Sequence, residues 1–349
     1  MFDFSLFPLW ANLSIFIISA SLVWISGTKL SIYADTLAKR TGLGHAFMGF
    51  LLLATITELP ELATNTTGAL RGEAILVLNS MVGGITMQTA ILAIADFAIA
   101  GASLTYLAGK SINILQSVLL ILLLSILLVI TIIGDIPLIW HVGLGSILLF
   151  VIYFIVLFLL QNYNKNRKWQ TIDIIEIEED RVESVHADRF KGIKTKTIWY
   201  FVVFLALVIF ISGIFLFISA ESIAQQSGLG KHFIGATLLA TATSLPELST
   251  AISAVRLRAY TMAISDIIGS NAIMLMMLLP VDMLYHEGFL LNQAGTSVSF
   301  LLAMGIILTT IYIIGLIMRK KKAYFRMGID SWAVLILYIL SIYILYKLS

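Results

Sequence analysis

The chain has 349 residues, of which 59% are hydrophobic and 12% charged, with a mean hydropathy of +0.99. Soluble domains carry about 25% charged residues, so this composition excludes a water-soluble globule and points to an integral membrane protein. The net charge is only +2 and there is no cysteine, which excludes disulfides and thiolate metal sites and leaves oxygen or imidazole to hold any metal.

No Lys or Arg precedes Lys29, so the N-terminus lacks the basic region of a cleaved signal peptide and the first apolar run is expected to be retained. Apolar runs of about 20 residues predict spans near 10–34, 45–70, 74–100, 111–133 and 138–161. A polar stretch, 161–196, separates these from five more near 197–225, 231–255, 259–285, 296–318 and 330–348. The expected fold class is an all-α polytopic membrane protein of ten transmembrane helices. Placing the N-terminus outside puts 18 of the 22 Lys and Arg residues on the cytoplasmic side, which predicts both termini extracytoplasmic and 161–196 as a cytoplasmic linker. The acidic cluster of that linker, Glu176, Glu178, Glu179, Asp180 and Glu183, reads as solvated charge, because it lacks the spacing and turn glycine of an EF-hand loop.

The two halves match at a constant separation. Across 42–62 against 228–248, 14 of 21 residues are identical without a gap, including Thr55 with Thr241, Pro60 with Pro246 and Glu61 with Glu247. The same offset of 186 relates Gly27 to Gly213, Asp35 to Glu221, Gly83 to Gly269 and Asp96 to Asp282. An odd number of spans per unit makes the second copy enter from the opposite side, so 1–160 and 197–349 are expected to be inverted five-helix repeats with an ion site at their interface near the midplane.

Within the repeats, Thr55-Ile-Thr-Glu-Leu-Pro-Glu-Leu62 and Thr241-Ala-Thr-Ser-Leu-Pro-Glu-Leu248 place carboxylates and proline at membrane depth. A charged side chain there costs about 2.5 to 3.5 kcal/mol, so it needs a partner, a cavity or a cation. Pro60 and Pro246 supply no N–H to the carbonyls of Ile56 and Ala242. Helical spacing lets Thr57, Glu58 and Glu61 share a face, as it does Thr243, Ser244 and Glu247. Two facing glutamates neutralise a divalent cation, and calcium's six to eight oxygen ligands are available from carboxylates, hydroxyls and freed carbonyls. Magnesium retains its waters too firmly to suit such a cage, and transition metals normally recruit histidine or cysteine, which these motifs lack. The bland alternative for Glu61 and Glu247 is a pair of structural acids. Asp266 either approaches the ions or lines an access path, its counterpart being Ser80. Asp96 and Asp282 fall near helix ends, where anchoring and a vestibule role are equally open. Met274, Met276 and Met277 read as lipid-facing or packing residues, and the repeated glycines as close-packing or turn positions.

Thr241-Ala-Thr-Ser-Leu-Pro-Glu-Leu together with Ala263-Ile-Ser-Asp-Ile-Ile-Gly-Ser-Asn271 resembles the second α-repeat of the calcium/cation antiporter superfamily, which includes the sodium/calcium exchangers. The first half is similar but looser, with Asn79-Ser-Met-Val-Gly-Gly84 as its glycine segment. The resemblance implies a cation site between helices two, three, seven and eight, reached alternately from either side. Thr57 and Glu61 match ligands of the first repeat, and Thr243, Ser244, Glu247 and Ser270 match those of the second. The chain departs from the family at Glu58 and Gly84, where serine is usual, at Gln88, where sodium/calcium exchangers have asparagine, and at Met274, where they commonly have an acid. One carboxylate has in effect moved from helix eight to helix two.

The implied activity is secondary antiport of calcium or a similar cation against sodium, with no cofactor beyond the transported ions. Its partners are those cations and the lipid bilayer, not nucleic acid. A proton-coupled exchanger is the alternative, because Glu58 beside Glu61 is a like-charge pair that favours protonation. A passive cation channel is a further one. An intramembrane hydrolase is disfavoured by the lack of HExxH and GxSxG motifs.

Overall fold

The computed structural model describes residues 4–41, 55–99, 102–139, 141–166 and 193–348. The linker cluster at 176–183 and the glycines at 42, 44 and 49 lie outside the described residues. The long helices are α1 (Leu9–Thr41), α2 (Leu59–Leu70), α3 (Ala74–Phe97), α4 (Ser111–Ile133) and α5 (Leu144–Asn166), followed by α6 (Thr195–Ser227), α7 (Leu245–Arg256), α8 (Tyr260–Met276), α9 (Thr296–Met318) and α10 (Ile329–Leu348). Among the described residues eight helices are long and apolar enough to cross a membrane. The two that are not, α2 and α7, are the segments broken beside their prolines.

Those breaks are alike. Glu58 and Ser244 precede the two proline-led helices with φ/ψ of −77°/1° and −83°/9°, outside helical geometry, and Pro60 and Pro246 occupy the first turn that follows. Proline is accommodated there because first-turn N–H groups have no intrahelical acceptor. The expected single span at 231–255 is therefore a composite: Gly230–Ile234, a π-helical stretch Gly235–Leu239, a turn of α-helix Ala240–Thr243, and then α7.

The fifth span also differs from expectation. It begins at Leu144 rather than 138, because Pro137–Ile139 pairs with Val142–Gly143 as an antiparallel hairpin. Gly134, at φ +86°, turns the chain out of α4, and Asp135 Oδ1 then accepts from the Gly145 N–H at 2.7 Å. Backbone groups that would have been helical are satisfied locally.

The helices α1 and α6 have 33 residues each, about 50 Å of rise against a hydrocarbon layer of about 30 Å. They lie antiparallel along one another: Phe4 stacks on Phe215 at 5.9 Å, and Tyr33 stacks on Phe201 at 5.5 Å. Each also presents a glycine to the other half's proline helix. A Cβ on Gly27 would stand 2.6 Å from Pro246 Cγ, and one on Gly213 would stand 2.6 Å from the Ala63 Cβ and 3.4 Å from the Pro60 carbonyl. A comparable close approach sets Gly83 of α3 against the Ala236 backbone, and Gly235 against the Leu76 carbonyl. Small residues at these seams let backbones meet without side chains between them.

The helices α3 and α8 form the buried centre, while Ile17, Phe154, Phe204 and Ile336 of the surrounding helices face outward. Met274 and Met277 are packing residues, with 0% and 5% exposure, and not lipid-facing. Asp96 and Asp282 are anchors at helix ends. Asp96 accepts from the N–H groups of Leu104 at 2.6 Å and Gly328 at 2.7 Å. Asp282 accepts from the N–H groups of Leu290 and Gly143, both at 3.0 Å, and from the Ser146 hydroxyl at 2.5 Å.

Gly213→Leu should force α6 off α2 and cost about 1 to 3 kcal/mol. A thermal melt in detergent would read this as a lowered midpoint, with Gly213→Ala intermediate.

Candidate functional site

The broken helices determine what faces the centre. Glu58 and Ser244 leave helical φ/ψ just ahead of Pro60 and Pro246, and the first turns of α2 and α7 that follow carry Glu61 and Glu247. All eight residues singled out by sequence, Thr57, Glu58, Glu61, Gln88, Thr243, Ser244, Glu247 and Ser270, are 3% exposed or less. They come from the four segments expected to meet.

The carboxylates lie within electrostatic reach of one another, with Glu58 near Glu61 and Glu247 near both. Gln88 Nε2 donates to Glu58 Oε1 at 3.1 Å, and Ser270 faces the same carboxylate. Thr243 and Ser244 stand beside Glu61, which brings the second half's hydroxyls to the first half's acid. The threonines one turn on, Thr64 and Thr250, each donate to the carbonyl of their glutamate, Glu61 and Glu247, at 3.0 Å. These bonds steady the two first turns in the same way.

Charge compensation inside the protein is absent among the described residues. No Lys or Arg bears on Glu58, Glu61 or Glu247. Two basic residues are engaged elsewhere, Arg71 with Glu221 at 2.8 Å and Lys231 with Glu73 at 2.6 Å. Both carboxylate oxygens of Glu61 and both of Glu247 lack a hydrogen-bond partner, as do Glu58 Oε2, Gln88 Oε1, Ser244 Oγ and Ser270 Oγ. Buried polar oxygens normally find partners, and charged ones are paired or coordinate metals. Unpaired oxygens in this number, all hard donors, suit a calcium-sized cation. Among the described residues no three His, Cys, Asp or Glu side chains converge as a ready-made metal cluster. A cation here would therefore draw on hydroxyl, amide and carbonyl oxygens as well as carboxylates.

Sequence reasoning missed some neighbours. Asn65 and Asn271 are buried with both amide atoms unpartnered, and the Tyr153 hydroxyl of α5 is buried within reach of Glu58. Asn65 was findable, because it follows Glu61 by four residues on one helix face. Tyr153 was not, because nothing local ties a residue of α5 to α2.

The sequence matches the sodium/calcium exchanger protein family over residues 11–160 and 196–347. The chain belongs to that family. Comparison with curated proteins finds no match. Among solved structures, the H+/Ca2+ exchanger CAX is similar with a TM-score of 0.70 at 14% identity, over 97% of this chain and 85% of that one. The structure of native YfkE is similar with a TM-score of 0.62 at 15% identity, over 95% and 92% of the two chains. The sodium-calcium exchanger NCX_Mj soaked with Na+ and Sr2+ gives 0.59 at 17% identity, over 96% and 99%. At these identities the likeness is one of fold. Membership places the protein among membrane cation antiporters of the calcium/cation superfamily, a transporter family rather than an enzyme class.

Gly84 and Met274, singled out with Glu58 and Gln88 by sequence, touch. A Cβ on Gly84 would stand 3.1 Å from Met274 Cε, so the methionine fills the space that glycine leaves. The other two also pair, as the Gln88–Glu58 hydrogen bond. Substituting Glu58→Ala should strand the Gln88 amide and cost about 1 to 3 kcal/mol, whereas Glu58→Gln keeps an acceptor. Melting midpoints of the two variants in detergent should therefore separate.

Proposed function

We propose that the protein is a secondary active antiporter exchanging calcium, or a similar cation, for sodium by alternating access. The observation that carries this reading is the buried set of unpartnered oxygens around Glu61 and Glu247, with no basic partner among the described residues. The proposed ligands are Thr57, Glu58, Glu61, Gln88, Thr243, Ser244, Glu247 and Ser270. Family membership supports the reading, as does the likeness to a H+/Ca2+ exchanger and a sodium-calcium exchanger.

The coupling follows from electrostatics. Moving uncompensated carboxylates through a low-dielectric layer is opposed by several kcal/mol per charge. The site therefore crosses only when loaded, first with one cation and then with the other. Ten spans arranged as inverted repeats, 1–160 and 197–349, give this motion a symmetric frame; the contacts at offset 186 support that arrangement. In the proposed orientation both termini are extracytoplasmic, 161–196 is cytoplasmic, and the bilayer is the cell membrane.

One observation favours protons as the second reading. Asp266, buried within electrostatic reach of Glu58 and Glu247, brings the carboxylates around the site to four. A divalent ion compensates two of them, and protons neutralise the remainder more readily than sodium ions that need room for their own ligands.

In proteoliposomes, Glu61→Gln and Glu247→Gln should each reduce calcium uptake by about a hundredfold or more while the variants still fold, since each removes one of the two facing carboxylates. Sodium and pH gradients imposed separately decide the coupling ion. Uptake driven by neither gradient, or near-normal uptake in both variants, overturns the reading.

A further inference from the structure

The correspondence between the halves breaks at one buried acid. Asp266 of α8 is 4% exposed, and its Oδ1 has no hydrogen-bond partner. Its Oδ2 lies 3.0 Å from the Thr250 hydroxyl, which is also 3.0 Å from the Glu247 carbonyl. The offset that relates the halves sets Thr64 against Thr250 but Ser80 against Asp266. Thr64 makes the same bond to the Glu61 carbonyl, yet Ser80, equally buried, brings no charge to it.

The position of this acid along the helices is informative. Asp266 precedes Ser270 by four residues on one face of α8, about 6 Å closer to the Tyr260 end. Thr250 follows Glu247 by three residues, one turn closer to the Arg256 end of α7. Both displacements run toward the same end of the molecule, the end that carries Arg256 and Arg258. The carboxylate therefore sits to one side of the Glu61–Glu247 pair, with a free oxygen and within electrostatic reach of Glu58 and Glu247. On the other side, the matching place holds a serine hydroxyl.

A cation leaving water for a buried site loses ligands before it gains new ones, and a carboxylate along the way replaces some of them with charge. A charged stepping ligand on one path and a neutral one on the other makes the two paths unequal, although the central site is shared. No lysine or arginine among the described residues bears on Asp266 to cancel its charge.

We propose that Asp266 is a docking ligand on the cytoplasmic path, contacted by a divalent cation between the cytoplasm and the Glu61–Glu247 pair, so that the exchanger is asymmetric in apparent cation affinity. This rests on the antiport reading and its orientation.

The test uses the full chain in proteoliposomes, with sidedness established by protease access to the 161–196 linker. Half-saturating calcium is measured separately at each face. Asp266→Asn keeps the shape and the Thr250 contact, and should raise half-saturation about tenfold at the linker face while leaving the opposite face within about twofold, since calcium affinity follows ligand charge. Asp266→Glu, retaining charge, should stay closer to the parent than Asp266→Asn at that face. Equal shifts at both faces would make Asp266 a ligand of the central site, and no shift would make it a structural partner of Thr250; either overturns the proposal. An unsubstituted protein that carries no calcium at all would sink the antiport reading, and this inference with it. Normal parental flux with symmetric variants sinks the inference alone.

Discussion

The structure depends on one electrostatic constraint: carboxylates held in the middle of an apolar protein with no lysine or arginine among the described residues to neutralise them. Burying a charge without a partner is among the most expensive arrangements available to a folded chain. Here the acids keep free oxygens rather than ion pairs, and the basic residues at Arg71 and Lys231 are tied to Glu221 and Glu73 instead. The chain has kept its counter-charge away from these acids. A mobile cation is the natural partner for such a site, and exchange follows once loading is a condition for movement.

The rest of the fold makes that arrangement possible. Two proline-led half-helices follow backbone breaks at Glu58 and Ser244, and their first turns carry Glu61 and Glu247, both buried. Glycines at 27 and 213 let the long helices α1 and α6 lie directly on the opposite half's proline helix. The proline helix of each half thus shares a surface with one of the two 33-residue helices. Asp96 and Asp282 pin the chain beyond α3 and α8 through backbone N–H groups, holding the central helices at their ends rather than at the site.

Four buried residues around the acids come in touching pairs. Met274 occupies the space beside Gly84. Glu58 and Gln88 are hydrogen-bonded, so the acid that precedes α2 has a donor from α3. Packing in one pair and hydrogen bonding in the other tie the half-helix and the central helices together.

Much of this was legible in the sequence because membranes simplify the code. Apolar length marks spans and duplicated Leu-Pro-Glu marks the two acids expected to face each other, so most helix boundaries could be read without coordinates; the structure finds the eight expected residues all buried. The residue pattern did not reveal the hairpin before α5, the π-helical stretch at Gly235–Leu239, or the neighbour Tyr153. Tyr153 reaches Glu58 only through contact between segments far apart in the chain, about which local pattern carries no information. Hydropathy determined which residues enter the membrane and which acids are costly there. Only the tertiary structure decided which oxygens remain without partners and where Asp266 lies relative to the pair, because hydrogen-bond satisfaction belongs to the assembled helices and not to any one of them.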